Sequence, residues 1–200
     1  MKKKIIKIFF PVFLTLTFYT FSFCQSRLDN IRQPEKVMDA IGVEPGMRIG
    51  EVGAGEGYFT FYLARKVGSK GKIYANDILE KELKKIVDRK KRENIGNIET
   101  VVGEETDPLF PEKDLDMVFM CYVYHEITKP VEFMKNVKKY LKKDAPVVIL
   151  DLDPDRQSTG GYSHYITKKE VLENMEKSDY KLVKIEDFLS RDNVYVFRSK

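Results

Sequence analysis

The amino-acid sequence predicts an α/β domain: a seven-stranded, mostly parallel sheet with an antiparallel last strand and helices on both faces. Three observations predict it. Between residues 48 and 153, apolar runs of strand length alternate with amphipathic stretches of helical period, and repeated strand–helix–strand units call for parallel pairing. The last two apolar runs, "YKLVKIEDFL" and "NVYVFRSK", are joined by only a few residues around Arg191–Asp192, which makes an antiparallel hairpin. The chain of 200 residues, 42% apolar and 33% charged, has the length and composition of one domain with a full core.

The elements follow in order. "RLDNIRQPEKVMDAIGV" reads as a helix, with Ile31, Val37, Met38 and Ile41 as a partial apolar stripe and Pro34 near the start of its regular part. "EPGM" is a turn and "RIGEVG" the first strand. Residues 58–67, "YFTFYLARKV", read as a helix, "GSKG" as a turn and "KIYAND" as the second strand. "ILEKELKKIVDRKKREN" is a charged helix expected to turn Ile78, Leu79, Leu83, Ile86 and Val87 inward. "NIETVVG" and "LDMVFMCYV" are the third and fourth strands, the latter apolar enough to be buried on both faces. "PVEFMKNVKKYLKK" is a helix opened by Pro130, with Val131, Phe133, Met134, Val137 and Leu141 apolar. "APVVILDLD" is the fifth strand. "TKKEVLENMEKSD" is a helix with Thr167 as its N-cap.

Residues 1–24 stand apart from the domain at 25–200. Lys2, Lys3, Lys4 and Lys7 precede an apolar run from Ile5 to Phe23, the layout of a secretory signal peptide. Ser22 and Cys24 are spaced like the small residues of a cleavage site. A lipidated Cys24 and a retained membrane anchor over residues 5–23 are the other readings. The lysines favour a domain lying outside, exported, periplasmic or membrane-anchored, by the positive-inside rule; attachment on the cytoplasmic face is the alternative. The leader also accounts for the formal charge of +4, because it holds four of the 35 basic residues and none of the 31 acidic ones. The remainder is neutral, so net charge argues for no nucleic-acid partner. The basic runs at 81–92 and 138–143 interleave with acids and read as solvated helix faces. Of two cysteines only Cys121 lies in the domain, which excludes an internal disulfide there and suits a small buried apolar residue. Nothing in the sequence bears on oligomeric state.

The chemistry concentrates in "RIGEVGAGEGYF". Gly53, Gly55 and Gly57 follow the first strand and precede a helix, where a bare backbone turns sharply and comes close to a ligand. A dinucleotide fingerprint needs a glycine where Tyr58 stands, and Glu56 places a negative charge in the loop; both weaken that reading. Asp77 ends the second strand 20 residues after Gly57, where a carboxylate can accept both hydroxyls of an adenosine ribose.

The run E-x-G-x-G-x-G resembles the first motif of class I S-adenosylmethionine-dependent methyltransferases. Over residues 28–198 the chain looks like a bacterial group of small methyltransferase-domain proteins, on the segments "PEKVMDAIGVEPGMRIGEVGAGEGYFT", "DPLFP" and "VYHEI". In that group two histidines commonly stand where this chain has His125-Glu126, and export leaders are common. The resemblance implies a Rossmann-like sheet and S-adenosyl-L-methionine as cofactor. It places the cofactor on Glu51, Gly53, Ala54, Gly55, Gly57, Asp77 and Ile78. It assigns an adenine contact in the loop after the third strand to Asp107, with Glu105 as the fallback. Glu51 suits a cofactor that is cationic.

Methyl transfer from a sulfonium leaves a neutral thioether, so the protein supplies positioning and, for a weakly acidic nucleophile, a base. His125, Glu126, Tyr122, Tyr124 and Asp151 stand near the ends of strands four and five, and His164 in "GGYSHYITKKE" is expected at the same rim. His125 leads as base or substrate contact, with Glu126 and His164 behind it. No metal-ligand spacing joins these residues, so no metal is expected. The bare domain suits a small-molecule or protein-side-chain substrate. Two further classes remain in view: an exported, non-catalytic binding module on the same fold, and a NAD-linked oxidoreductase.

Overall fold

The computed structural model describes residues 28–156 and 166–200. The leader and His164 therefore lie outside the described residues. The chain divides into two units, residues 1–33 and 34–200. In the first, residues 28–32 are helical and Gln33 takes a φ of 43°. The single helix expected over 27–43 is thus interrupted, because a proline at position 34 disfavours the α conformation in the residue before it.

The second unit holds the sheet. Its helices are α1 (Pro34–Ile41), α2 (Tyr58–Val67), α3 (Glu80–Arg92), α4 (Pro130–Val137) and α5 (Lys168–Lys177). Its strands are β1 (Arg48–Val52), β2 (Lys72–Asp77), β3 (Ile98–Val102), β4 (Met117–Cys121), β5 (Val147–Leu152), β6 (Tyr180–Glu186) and β7 (Asp192–Ser199). They form one seven-stranded sheet in the order β3-β2-β1-β4-β5-β7-β6. All pairings are parallel except those of β7, which runs antiparallel to both β5 and β6.

Helices cover both faces, and each central strand divides its side chains between two cores. Phe119, Val148 and Leu150 join Ile49, Phe59, Phe61, Leu63 and Ile86 on one side. Val118, Met120 and Ile149 join Phe133, Met134, Val137, Met175 and Tyr180 on the other. This two-sided burial is why β4 and β5 read as continuous apolar runs. The edge strand β6 exposes Lys181 through Lys184, and its lysines oppose pairing with another chain.

Some local expectations need correction. Helix α3 starts at Glu80, so Ile78 and Leu79 stand exposed ahead of it while Leu83 and Ile86 are buried and Val87 half-buried. The helix opened by Pro130 ends at Val137 and tightens into a 3₁₀ turn over Lys138–Tyr140, leaving Leu141 half-buried. Cys121 is half-buried at the end of β4. The basic runs are solvated, with ion pairs such as Lys84–Asp88 and Arg89–Glu93 on α3.

Helix α5 begins with a full capping box. Thr167 Oγ1 accepts from the Glu170 backbone N–H at 3.2 Å, and the Glu170 carboxylate accepts from the Thr167 backbone N–H at 2.8 Å. Replacing Thr167 by alanine removes the acceptor for that N–H. The expected cost is about 1 kcal/mol, read as a lowered urea midpoint with an unchanged slope.

Candidate functional site

The strand order reverses between β1 and β4, and in an open parallel sheet the crevice at that switch point receives the ligand. The turn from β1 into α2 sits there. Gly53 takes a φ of 67°, and a Cβ on it would fall 2.4 Å from the Val123 side chain beyond β4. Any other residue would push the two strand ends apart. Gly57 caps α2 with a φ of 88°, and a Cβ on it would crowd Ile86 and Phe61 at 2.9 Å. The turn is therefore packed against both flanking elements with no room for side chains at these two positions.

Asp77 ends β2 beside this turn. One carboxylate oxygen accepts from the Gly55 N–H and the other from the Leu79 N–H, each at 2.9 Å. Two backbone donors thus hold the carboxylate while each oxygen keeps capacity for a further hydroxyl donor. Next to it, Asn76 donates through its amide to the carbonyls of Val101 and Pro108, at 3.2 and 2.9 Å. That amide ties the loop after β3 to the end of β2. The Asn76 Nδ2 stands 2.3 Å from where a Cβ on Gly103 would lie.

A cleft of about 650 Å³ opens above these groups, lined by Val52, Gly53, Asn76, Asp77, Ile78, Glu104, Glu105, Val123, Glu126, Ile127, Thr128 and Phe133. Among the described residues, four carboxylates and no lysine or arginine line it. Of the residues predicted for the cofactor, Gly53, Asp77 and Ile78 line the cleft. Ile78 is 57% exposed, an apolar side chain left uncovered at the cleft mouth, which explains why the helical pattern misplaced it. Glu105, the fallback, lines it too, whereas Asp107 does not: its carboxylate accepts from the Tyr140 hydroxyl at 2.6 Å and the Leu109 N–H at 3.0 Å. Ala54, Gly55 and Gly57 shape the turn outside the lining.

Glu51 lies beneath the turn instead of in the cleft. It shares a face of β1 with Ile49, is 3% exposed, and accepts from the Thr60 hydroxyl on α2 at 2.5 Å. Burial pushes its carboxyl up to about 8, opposed by the Thr60 hydrogen bond and reinforced by the nearby Asp77 charge. Glu56 leaves the loop altogether, pairing with Lys85 on α3 at 2.6 Å. Its charge does not stand where a pyrophosphate would lie, so it gives no argument against a dinucleotide. The cleft's own carboxylates supply that argument. Tyr58 packs on Phe59 and Tyr62 at the start of α2.

The ends of β4 and β5 bring the predicted reaction-side residues together. His125 Nδ1 lies 2.8 and 3.0 Å from the two oxygens of Asp151, whose side chain is 2% exposed. Its Nε2 faces Glu126 at 3.3 Å. The Asp151 hydrogen bond, with both carboxylate charges, raises His125 above its ordinary 6.5 against the opposing effect of burial. Tyr122 takes a φ of 53° at the end of β4, and its hydroxyl donates to Asp192 at 2.7 Å. Tyr124 is buried.

Sequence reading missed Asn76, Glu104, Val123, Thr128 and Phe133 in the cleft wall. It also missed a polar cluster just past the same, C-terminal end of β5. There Arg156 pairs with Asp153 at 3.0 Å, donates to Asn193 at 3.0 Å and to the Asp187 and Leu189 carbonyls at 3.1 Å. The signal for Asn76 was present: a polar residue inside an otherwise apolar strand, next to the strand-ending acid.

A sheet in this order, with a glycine turn at its switch point and a clamped acid ending the next strand, defines the class I S-adenosylmethionine-dependent methyltransferase fold. The comparisons agree. A family model described as "Methyltransferase domain" matches residues 43–195, and the chain belongs to that family. It is 25% identical to the ubiquinone/menaquinone biosynthesis C-methyltransferase UbiE of Idiomarina loihiensis over 61% of this chain and 49% of that one. It is 30% identical to the chloroplastic 2-phytyl-1,4-beta-naphthoquinone methyltransferase of Arabidopsis thaliana over 58% of this chain and 46% of that one. The chain thus spans about half the length of these curated relatives. Among solved structures, a SAM dependent methyltransferase from Aquifex aeolicus superimposes with a TM-score of 0.77 at 25% identity, covering 84% of this chain and 89% of that one. The [4+2]-cyclase SpnF, at 12% identity and a TM-score of 0.70 over 84% of this chain and 80% of that one, shares the fold.

Glu51 has a measurable signature. Its folded-state value of about 8 stands above its ordinary 4.5, so the folded protein holds a proton that the unfolded chain releases between those values. Stability contributed by this group therefore falls as pH rises through that window. Glu51→Gln, neutral throughout, is expected to match wild type near pH 4.5. Above pH 8 it should be more stable by about 3–5 kcal/mol in denaturant unfolding.

Proposed function

We propose that the chain transfers the methyl group of S-adenosyl-L-methionine to a small-molecule acceptor. The observation that supports this most is the charge of the cleft: Asp77, Glu104, Glu105 and Glu126 line it, with no lysine or arginine among the described residues of its wall. A dinucleotide brings two phosphates, and these carboxylates would oppose them. S-adenosyl-L-methionine brings a sulfonium and an ammonium group, which suit a carboxylate-rich wall. The clamped Asp77 suits its ribose hydroxyls, Ile78 and Val52 suit the flat face of its adenine, and Glu105 or Glu104 suits the adenine amino group. When bound, the cofactor supplies a methyl group made electrophilic by its positive sulfur.

The named relatives suggest the acceptor class. Two are C-methyltransferases or methyltransferases of quinones, and Val123, Ile127 and Phe133 give this cleft an apolar wall suited to a flat ring. A ring carbon of a reduced, quinone-type aromatic compound is the acceptor we favour.

Isothermal titration calorimetry tests the cofactor reading. S-adenosyl-L-methionine and S-adenosylhomocysteine should bind, NADH should not, and Asp77→Asn should weaken binding by about 10- to 100-fold by removing one charged acceptor. No heat with either sulfur compound, in a protein whose melting is cooperative, rejects the proposal.

A further inference from the structure

The His125–Asp151–Glu126 arrangement is more specific than a methyl-transfer site requires. Asp151 is the penultimate residue of β5, and its carboxylate accepts from the Leu152 N–H at 2.9 Å and faces the His125 backbone N–H at 3.3 Å. A buried carboxylate fixed in this way only accepts, so the imidazole carries its proton on Nδ1 and presents the Nε2 lone pair on the opposite side. There it faces Glu126 at 3.3 Å, a side chain 63% exposed and part of the cleft wall, on the same 3₁₀ turn as the ring. With the ring neutral, Nε2 has no proton for Glu126. With the ring protonated, Glu126 accepts from Nε2–H while Asp151 accepts from Nδ1–H.

We propose that His125 Nε2 is the proton acceptor for the methyl acceptor's hydroxyl, that Asp151 is its positioning residue, and that the substrate is a weakly acidic hydroxyl compound of the phenol or enol class. The proposal rests on the methyl-transfer reading above and narrows it. In the step concerned, the acceptor O–H bond breaks, its proton passes to Nε2, and the electron pair stays on oxygen. That pair delocalises onto the adjacent carbon if the acceptor is an aromatic ring. The charges that act on the ring are Asp151 from β5 and Glu126 from its own turn, both of which stabilise the imidazolium formed. From β7, Asn193 pairs in register with Asp151, and the buried Tyr195 hydroxyl lies beyond it, bonded to Asn193 at 3.1 Å.

The chemistry explains why such a base is present. A thioether or an aromatic amine already offers a lone pair at neutral pH and needs no proton removed before attack. A phenol with a pKa near 10 is ionised to roughly one part in a thousand at neutral pH, so a base at bonding distance increases the reactive fraction greatly. Glu126 is exposed where Asp151 is buried and held by backbone donors, so an entering hydroxyl can replace Glu126 at Nε2 without disturbing the Nδ1 partner.

The chain has two histidines, so two imidazole signals report the test by NMR on the whole protein, assigned with His125→Gln. In wild type, His125 is expected to be the Nδ1–H tautomer and to titrate above 6.5. Asp151→Asn should lower that midpoint by at least one unit, and Glu126→Gln should lower it by less. An Nε2–H tautomer, or a midpoint unmoved in Asp151→Asn, overturns the assignment. Methyl transfer to 1,4-dihydroxynaphthalene supplies the kinetic readout. The rate should rise with pH through the NMR midpoint, and the inflection should move down in Asp151→Asn. His125→Gln should lose about 100-fold or more in kcat while binding S-adenosylhomocysteine within threefold of wild type. A His125→Gln rate near that of wild type overturns the proposal. So does a wild type that binds S-adenosylhomocysteine yet methylates only an amine probe such as aniline, or methylates neither probe. Loss of S-adenosylhomocysteine binding by wild type itself would instead reject the underlying methyl-transfer reading.

Discussion

The approach of Gly53 to Val123 is the contact on which the site depends. Two parallel strands whose following helices pack on opposite faces of the sheet open a crevice between their ends, and here Gly53 at one end closely approaches the Val123 side chain at the other. A side chain at residue 53 would separate them. With that contact made, the β1–α2 turn presents its Gly55 N–H to Asp77, and Asp77 in turn holds Leu79 ahead of α3. The turn, the acid and the next helix are therefore coupled through one carboxylate. Asn76 extends the coupling to the loop after β3, so the wall bearing Glu104 and Glu105 is set from the same strand end.

This end of the sheet gathers negative charge. Asp77, Glu104, Glu105 and Glu126 face the cleft, and Glu51 and Asp151 lie buried behind it. Like charges so placed repel, and the protein relieves the repulsion in different ways. Glu51 keeps its proton to a pH well above the usual carboxylate range. Asp151 is offset by His125 and by backbone donors. The cleft acids are exposed or half-buried, so solvent screens them. A ligand with positive charge completes this arrangement and one with phosphates opposes it, so the electrostatics choose between cofactors that share the same glycine turn.

Regular structure was largely legible in the residues. The bounds of α2 follow from an aromatic-rich 3.6-residue period between Gly57 and Gly68, and β4 and β5 follow from unbroken apolar runs. The antiparallel β7 follows from a connection too short to cross the sheet. Misreadings arose where an apolar residue had a task other than the core. Ile78 and Leu79 fit the stripe of α3 by spacing, but they precede its first turn, and Ile78 faces the cleft. Asp107 and Glu105 are both acids in one loop, and only the packing of Tyr140 against that loop draws Asp107 away.

The sequence by itself determined the class of fold, the position of the glycine turn and the identity of the acid that ends β2, because each depends on local period, backbone freedom or chain length. The partners of those residues were decided by the tertiary structure. Nothing local distinguishes a Glu51 that lines a cleft from one buried against Thr60, or a Glu56 inside the loop from one paired with Lys85. His125 and Asp151 are 26 residues apart, and they meet only because β4 and β5 are parallel neighbours whose ends coincide. Side-chain partnership across strands depends on register and crossover geometry, which no short stretch of sequence encodes.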